Sequence, residues 1–261
     1  MPIILTIVLI ILAIAVHELG HAILMRHYGV AISEICILGV GPKLLSFRCR
    51  KFFGDTPITV RLFPLGAFVK PAEPMDNFIG NKQYEHIFVG GIAMNFLYTG
   101  FLVGIFSLLI AFRGNVIAPV PLLLCLASSG IGLCLWKLPR VIGYIVPILG
   151  FSVLAFIIYN LTTLPIGESV AGPIGIGMLV AKINAYSYGL LFGAFISINL
   201  GIINMLPLFP LDGGQIFLSV LHRRRPVFMA RYGTMIKTAL FVGMICLFVL
   251  AFGSDISKLL P

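Results

Sequence analysis

A chain of 261 residues that is 59% apolar and only 10% charged, with a mean hydropathy of +1.09, is too apolar for a soluble globular domain, where charged side chains make up about 25%. It reads as an integral membrane protein. The net charge of +9 would suit nucleic acid as a partner, but the positive residues gather in a few loops between apolar runs, and that placement argues against nucleic acid and for membrane topology.

The first apolar run, 2–25, is long enough to cross a bilayer as a helix. It lacks a basic leader and a small-residue cleavage site, so it reads as a permanent helix and not as a cleaved signal peptide. Inside it stands His-Glu-Leu-Gly-His, residues 17–21. An ionisable side chain at membrane depth costs at least about 2.5–3.5 kcal/mol, so function or a partner must compensate it. On a helix His17 and His21 share one face, a turn apart. Two imidazoles so spaced suit a zinc ion, and Glu18 beside them can act as general base on an attacking water.

A polar stretch follows at about 26–86, and within it Pro-Ile-Thr-Val-Arg-Leu-Phe-Pro-Leu-Gly-Ala-Phe-Val, 57–69, mixes β-formers with Pro64 and Gly66. The region around 43–70 is expected to form a small β-hairpin at the membrane surface. Further spans are expected at 87–112, 116–136, 141–159, 187–206 and 236–252, which makes about six in all. The glycine-rich run 171–182 is too short to span and reads as an interfacial or re-entrant piece. The whole chain, 1–261, reads as one membrane domain: an all-α polytopic protein with a small membrane-associated β-hairpin between its first two spans.

If six spans alternate, most of the basic residues, from Arg26 and Lys43 through Lys137 and Arg140 to Arg223, Arg224, Arg225 and Arg231, fall on one side. That side should be cytoplasmic. Cys36, Cys49, Cys125, Cys134 and Cys246 show no CxxC pair, so neither a disulfide framework nor a thiolate metal site is supported. Of the carboxylates, Glu18 and Asp212 alone are embedded in strongly apolar surroundings. Asp212 follows a span broken by Pro207 and Pro210 and precedes Gly213 and Gly214. Two roles are open to it: a third metal ligand aimed into an opened helix, or a cap on the helix that follows.

The pairing of HExxH in the first membrane helix with Asn204, Pro207, Leu211, Asp212 and Gly213 resembles the site-2 protease family of intramembrane zinc metalloproteases. Segments 39–45, 61–70, 90–96 and 169–176 are similar to those of its bacterial branch, the regulator of sigma-E protease and relatives. The resemblance implies one Zn2+ per chain held by His17, His21 and Asp212, with Glu18 as the base. It implies that Asn204 and Asn95 help hold an unwound substrate, and that the hairpin, with Leu65 and Gly66 at its break, receives that substrate as an added strand. The substrate would be a single-span membrane protein or a signal-peptide remnant, cut within the bilayer, the active site lying towards the cytoplasmic side of a bacterial plasma membrane. Two departures stand out. Residues 113–165 hold two apolar runs where that branch usually carries PDZ domains, so substrate choice would rest on the hairpin or on a separate selecting partner, and the extra helices are expected to flank the substrate entrance. Pro210 also stands one position later than the branch's usual PxP pair. The alternative is a metal-ion or proton transporter using the embedded site, but the chain lacks the internal repeats such proteins tend to show.

Overall fold

The computed structural model describes residues 2–63, 66–75, 79–112, 119–163 and 186–259. Leu65 and the expected re-entrant run 171–182 lie outside them. The helices are α1 (Pro2–His27), the single turn α2 (Arg50–Phe53), α3 (Lys82–Phe112), α4 (Pro119–Lys137), α5 (Pro139–Thr163), α6 (Tyr186–Asn204), α7 (Asp212–Arg224) and α8 (Pro226–Leu259); the strands are β1 (Ile32–Leu38), β2 (Val40–Arg48), β3 (Pro57–Phe63) and β4 (Phe68–Pro71).

Among the described residues α1, α3, α4, α5 and α8 are long and apolar enough to cross a membrane. The apolar stretch of α6, Tyr188–Asn204, is shorter. At 1.5 Å per residue it rises about 26 Å, less than the roughly 30 Å hydrocarbon core. Among the described residues, five of the six expected spans are helices of membrane length and the sixth, α6, is a shorter apolar helix. The last helix begins at Pro226, ten positions before the expected start at 236. Proline, with its fixed φ and no N–H to leave unpaired, suits a first helical turn.

Packing is centred on α3. Of its apolar window 56% is buried, against 28% for α1 and none for α8. One cluster joins Val89, Ile92, Ala93 and Phe96 of α3 to Leu135 of α4, Ile142 and Val146 of α5, and Ile216 of α7. A second joins Tyr98, Leu102 and Val103 to Leu9 and Ala13 of α1 and Leu190 and Ala194 of α6. Where α1 crosses α3, a Cβ at Gly20 would stand 2.3 Å from the Gly90 carbonyl oxygen, and one at Gly90 would meet the Gly20 carbonyl oxygen at 2.7 Å. Only glycine at both positions permits that approach, the usual way membrane helices close on one another.

The surface β-element is larger than the expected hairpin. It is a four-stranded sheet in the order β2-β3-β1-β4. β3 and β4 are not partners: β1 lies between them, parallel to β3 (Ile35 opposite Ile58) and antiparallel to β4 (Ile35 opposite Val69). The reason is burial. Ile35 and Cys36 are 1% and 0% exposed, and Ile35 packs with Ile58 on Ala22 of α1, so the apolar segment of β1 takes the centre. The Gly39 N–H donates to the Gly66 carbonyl at 2.7 Å, which joins the β1–β2 turn to the segment before β4.

One charge cluster holds the sheet together. Glu34 of β1 is buried, accepts from the Thr59 hydroxyl at 2.6 Å and from Arg61 through both carboxylate oxygens, and has Lys43 at 3.4 Å. Burial works against its charge, but the Thr59 and Arg61 hydrogen bonds and the two cations outweigh it and hold the carboxyl below its usual range.

Candidate metal centre

α1 runs unbroken through residues 17–21, so the helical spacing stacks His17 and His21 with ring centroids 4.8 Å apart. Their Nε2 atoms are 3.2 Å apart. Asp212, at the first turn of α7, brings its Oδ2 to 3.2 Å from His17 Nε2 and 3.4 Å from His21 Nε2. All three residues are buried. Asp212 Oδ2 has no hydrogen-bond donor. Three ligand atoms thus form a near-equilateral triangle around one point. A four-coordinate zinc ion with bonds of about 2.0–2.1 Å separates its ligands by about 3.3–3.4 Å. The donor set and its spacing fit that ion.

Both histidines are held from behind by α3. His21 Nδ1 lies 2.8 Å from the Ile87 carbonyl oxygen, which can only accept, so Nδ1 carries the proton and Nε2 offers its lone pair to the triangle. The amide nitrogen of Asn95 lies 3.0 Å from His17 Nδ1 while its own oxygen is buried without a partner. Turning that amide by 180° puts the oxygen where it accepts the Nδ1 proton of a metal-facing His17. Space for the rings comes from Gly91: a Cβ there would stand 2.5 Å from His21 Nε2 and 2.7 Å from His17 Nε2.

Asp212 is positioned by close backbone packing. A Cβ on Gly213 would meet the Met205 carbonyl oxygen at 2.2 Å, and one on Gly214 would meet that of Leu208 at 2.4 Å. The loop after α6 therefore seats directly on the first turn of α7. Of the two roles left open for Asp212, the N-cap position of α7 is taken by Leu211, while Asp212 Oδ2 faces the two imidazoles.

The triangle opens into a cavity of about 330 Å³ lined by His17, Glu18, Asn204, Leu211, Asp212, Phe88 and, from β4, Phe68, Val69 and Pro71. Glu18 stands on the next residue of the same helix with the Val69 backbone amide directed at its carboxylate. Asn204 lines the cavity while its amide nitrogen donates to the Leu200 carbonyl at 3.0 Å. Asn95 lies fully buried behind His17. Gly66 is at the β3–β4 passage with φ +87°, away from the cavity lining. Neither α4 nor α5 lines the cavity among the described residues. Gly91 and the Ile87 carbonyl were not singled out as site elements in the sequence, although a Gly-Gly pair inside an apolar helix is a sign of close packing; β4 falls in the stretch expected to receive the substrate strand.

The model of peptidase family M50 matches residues 5–250. The chain belongs to peptidase family M50. A Helicobacter pylori protein is 40% identical over 102 residues, 36% of this chain and 27% of that one. Zinc metalloprotease RasP of Bacillus licheniformis is 45% identical over 56 residues, 22% of this chain and 12% of that one, and the regulator of sigma-W protease RasP of Bacillus subtilis is 43% identical over 56 residues, again 22% and 12%. Each match covers about a quarter or less of the relative's length. The M50 membership and the five membrane-length helices make this a multi-pass integral membrane protein.

Proposed function

We propose that the chain is a zinc-dependent intramembrane endopeptidase that hydrolyses a peptide bond within or near a membrane-spanning segment of another protein. The observation that carries this is the buried triangle of His17 Nε2, His21 Nε2 and Asp212 Oδ2, with sides of 3.2–3.4 Å and Glu18 in the same cavity. Zinc, when bound by these three residues, supplies Lewis acidity toward the carbonyl under attack and acidifies water. Glu18 takes the proton of the attacking water and delivers it to the leaving amine. The Val69 amide steadies that carboxylate, and the Ile87 carbonyl and Asn95 hold the two imidazoles in the tautomer that faces the ion.

A transmembrane helix shields its own peptide bonds, so it must become extended before it is cut, and its freed backbone groups need partners. β4 supports such a role. Among the described residues it ends the sheet order, and its residues Phe68, Val69 and Pro71 line the cavity. A substrate strand added along its open edge would pass the Glu18 carboxylate. The polar end of α1, where Tyr28 bonds His86, the end of α4, where His86 bonds the Trp136 carbonyl, and the basic end of α7 at Arg223 and Arg224 come together on one side. By the positive-inside rule that side is cytoplasmic, and the cavity opens near it. The partners expected are a single-span protein or signal-peptide remnant as substrate, and a separate selecting protein.

The test is cleavage of a single-span reporter in liposomes by wild type and Glu18→Gln, alongside their zinc content. Retained zinc with cleavage lowered about 10²–10⁴-fold supports the assignment of Glu18 as base. Cleavage at the wild-type rate refutes it.

A further inference from the structure

The third ligand stands on a different element from the two histidines, and that element is fragile. α7 has 13 residues, a length at which an isolated helix is marginal in water. Its place must come from contacts. One row of its residues, Gln215, Ser219 and Arg223, lies four apart on a single face, and every member is held by the first turn of α3. Tyr84 donates to Gln215 Oε1 at 3.0 Å, the Gly80 N–H donates to Ser219 Oγ at 3.0 Å, and Ser219 donates to Glu85 Oε1 at 3.3 Å. Arg223 donates to the same Glu85 oxygen in an ion pair.

Glu85 is 1% exposed. Its second carboxylate oxygen would stand 2.4 Å from a Cβ on Gly143 of α5, so that glycine makes the room for the charge. Nothing in the proposed hydrolysis uses this carboxylate. A buried ion pair is weak evidence for stability, since desolvation can offset its attraction; its best-attested use is to specify one arrangement among several. The arrangement specified here is where α7 sits against α3. The next two residues do the same for other elements: His86 joins Tyr28 after α1, at 2.6 Å, to the Trp136 carbonyl of α4, at 2.9 Å, and the Ile87 carbonyl orients His21. Four consecutive residues, Tyr84 to Ile87, thus tie the ends of three helices to α3 and fix one ligand.

We infer that Glu85 is a positioning residue for the metal centre: through Ser219 and Arg223 it locks the register of α7 on α3 and so sets where Asp212 stands relative to His17 and His21. α3 then serves all three ligands, His17 through Asn95, His21 through Ile87 and Asp212 through Glu85. The inference rests on the zinc reading of the triangle.

It is tested on the purified, detergent-solubilised full chain by chelator competition for zinc, by the visible spectrum of the Co2+-substituted protein, and by the melting of the metal-free form. Glu85→Ala and Arg223→Ala should each weaken zinc binding about 10–100-fold, the range typical for partners that orient metal ligands, and lose the intense tetrahedral Co2+ bands while the metal-free protein still melts cooperatively. The double variant should be no worse than the worse single. Tyr28→Phe, which deletes a hydrogen bond to the neighbouring His86 without touching α7, should bind zinc within twofold of wild type. Zinc affinity within twofold of wild type in Glu85→Ala overturns the inference, as does an equal loss in Tyr28→Phe, which would mean general loosening. Should Glu85→Ala not fold, Ser219→Ala decides in the same way: a weakened site supports the inference and an unchanged one overturns it. Wild-type protein that takes up no zinc would instead refute the reading beneath it.

Discussion

α3 and α8 are the two longest helices of the described chain, 31 and 34 residues, and hydropathy barely separates them, at 1.9 and 2.3 over their apolar windows. Yet 56% of one window is buried and none of the other. The difference lies in the residues hydropathy averages away. α3 places Gly90 and Gly91 where α1 and the imidazoles approach, and its buried polar groups meet partners inside the bundle, Asn95 against His17 and the Thr99 hydroxyl on the Asn95 carbonyl at 2.8 Å. α8 instead presents Met235, Phe248 and Val249, each more than half exposed. Lipid is as apolar as leucine, so an apolar surface alone does not drive a helix inward; small residues and hydrogen-bonded polar ones do.

At Gly91 α3 has no room for a side chain. Gly91→Leu should lower zinc affinity by about 100-fold or more, the top of the range for disturbed ligand orientation, because any Cβ there intrudes on both imidazoles. Wild-type zinc affinity by chelator competition would show that α3 does not shape the site. Asn95→Ala should cost about 10-fold in the same assay, since His17 keeps its place on α1 but loses its partner.

Charge in the sheet follows the same rule as polarity in α3: it is buried only where partnered. The folded Glu34 carboxyl titrates below its unfolded value of about 4.3. Its stabilisation is therefore present above that pH and is lost as pH falls through the depressed folded value. Melting temperature measured from pH 6 to 3 should fall more steeply for wild type than for Glu34→Gln, which is less stable at pH 6 but lacks that titration. Parallel curves would remove Glu34 from the account. Smallest of all, Val249→Leu on the lipid face of α8 should change stability by less than about 0.5 kcal/mol, and a larger loss would reveal packing that the buried fractions deny.

The membrane class, the helix-borne His17, Glu18 and His21, and the outlying Asp212 were legible because an ionisable group in an apolar run is conspicuous by its cost. The sheet was legible only in part. Pro64 and Gly66 read as the turn of a hairpin, whereas β3 and β4 each pair with β1; such pairing is set by which strand must be buried, and 32–38 carries no local sign that it will be central. Among the described residues the apolar stretch at α6 is a helix shorter than the span expected there, since composition does not report where a helix ends. The roles of Gly91 and Glu85 were hidden for a related reason: each depends on residues more than fifty positions away, His17 and His21 for one and Arg223 for the other.

In the proposed enzyme His17, His21 and Asp212 together hold one zinc ion. Zinc per chain in purified wild type, Glu18→Gln and Asp212→Ala tests it directly. About one ion in the first two and far less in the third is the result predicted for a three-ligand site with a separate base. Equal zinc in wild type and Asp212→Ala, or none in folded, unchelated wild type, would contradict it.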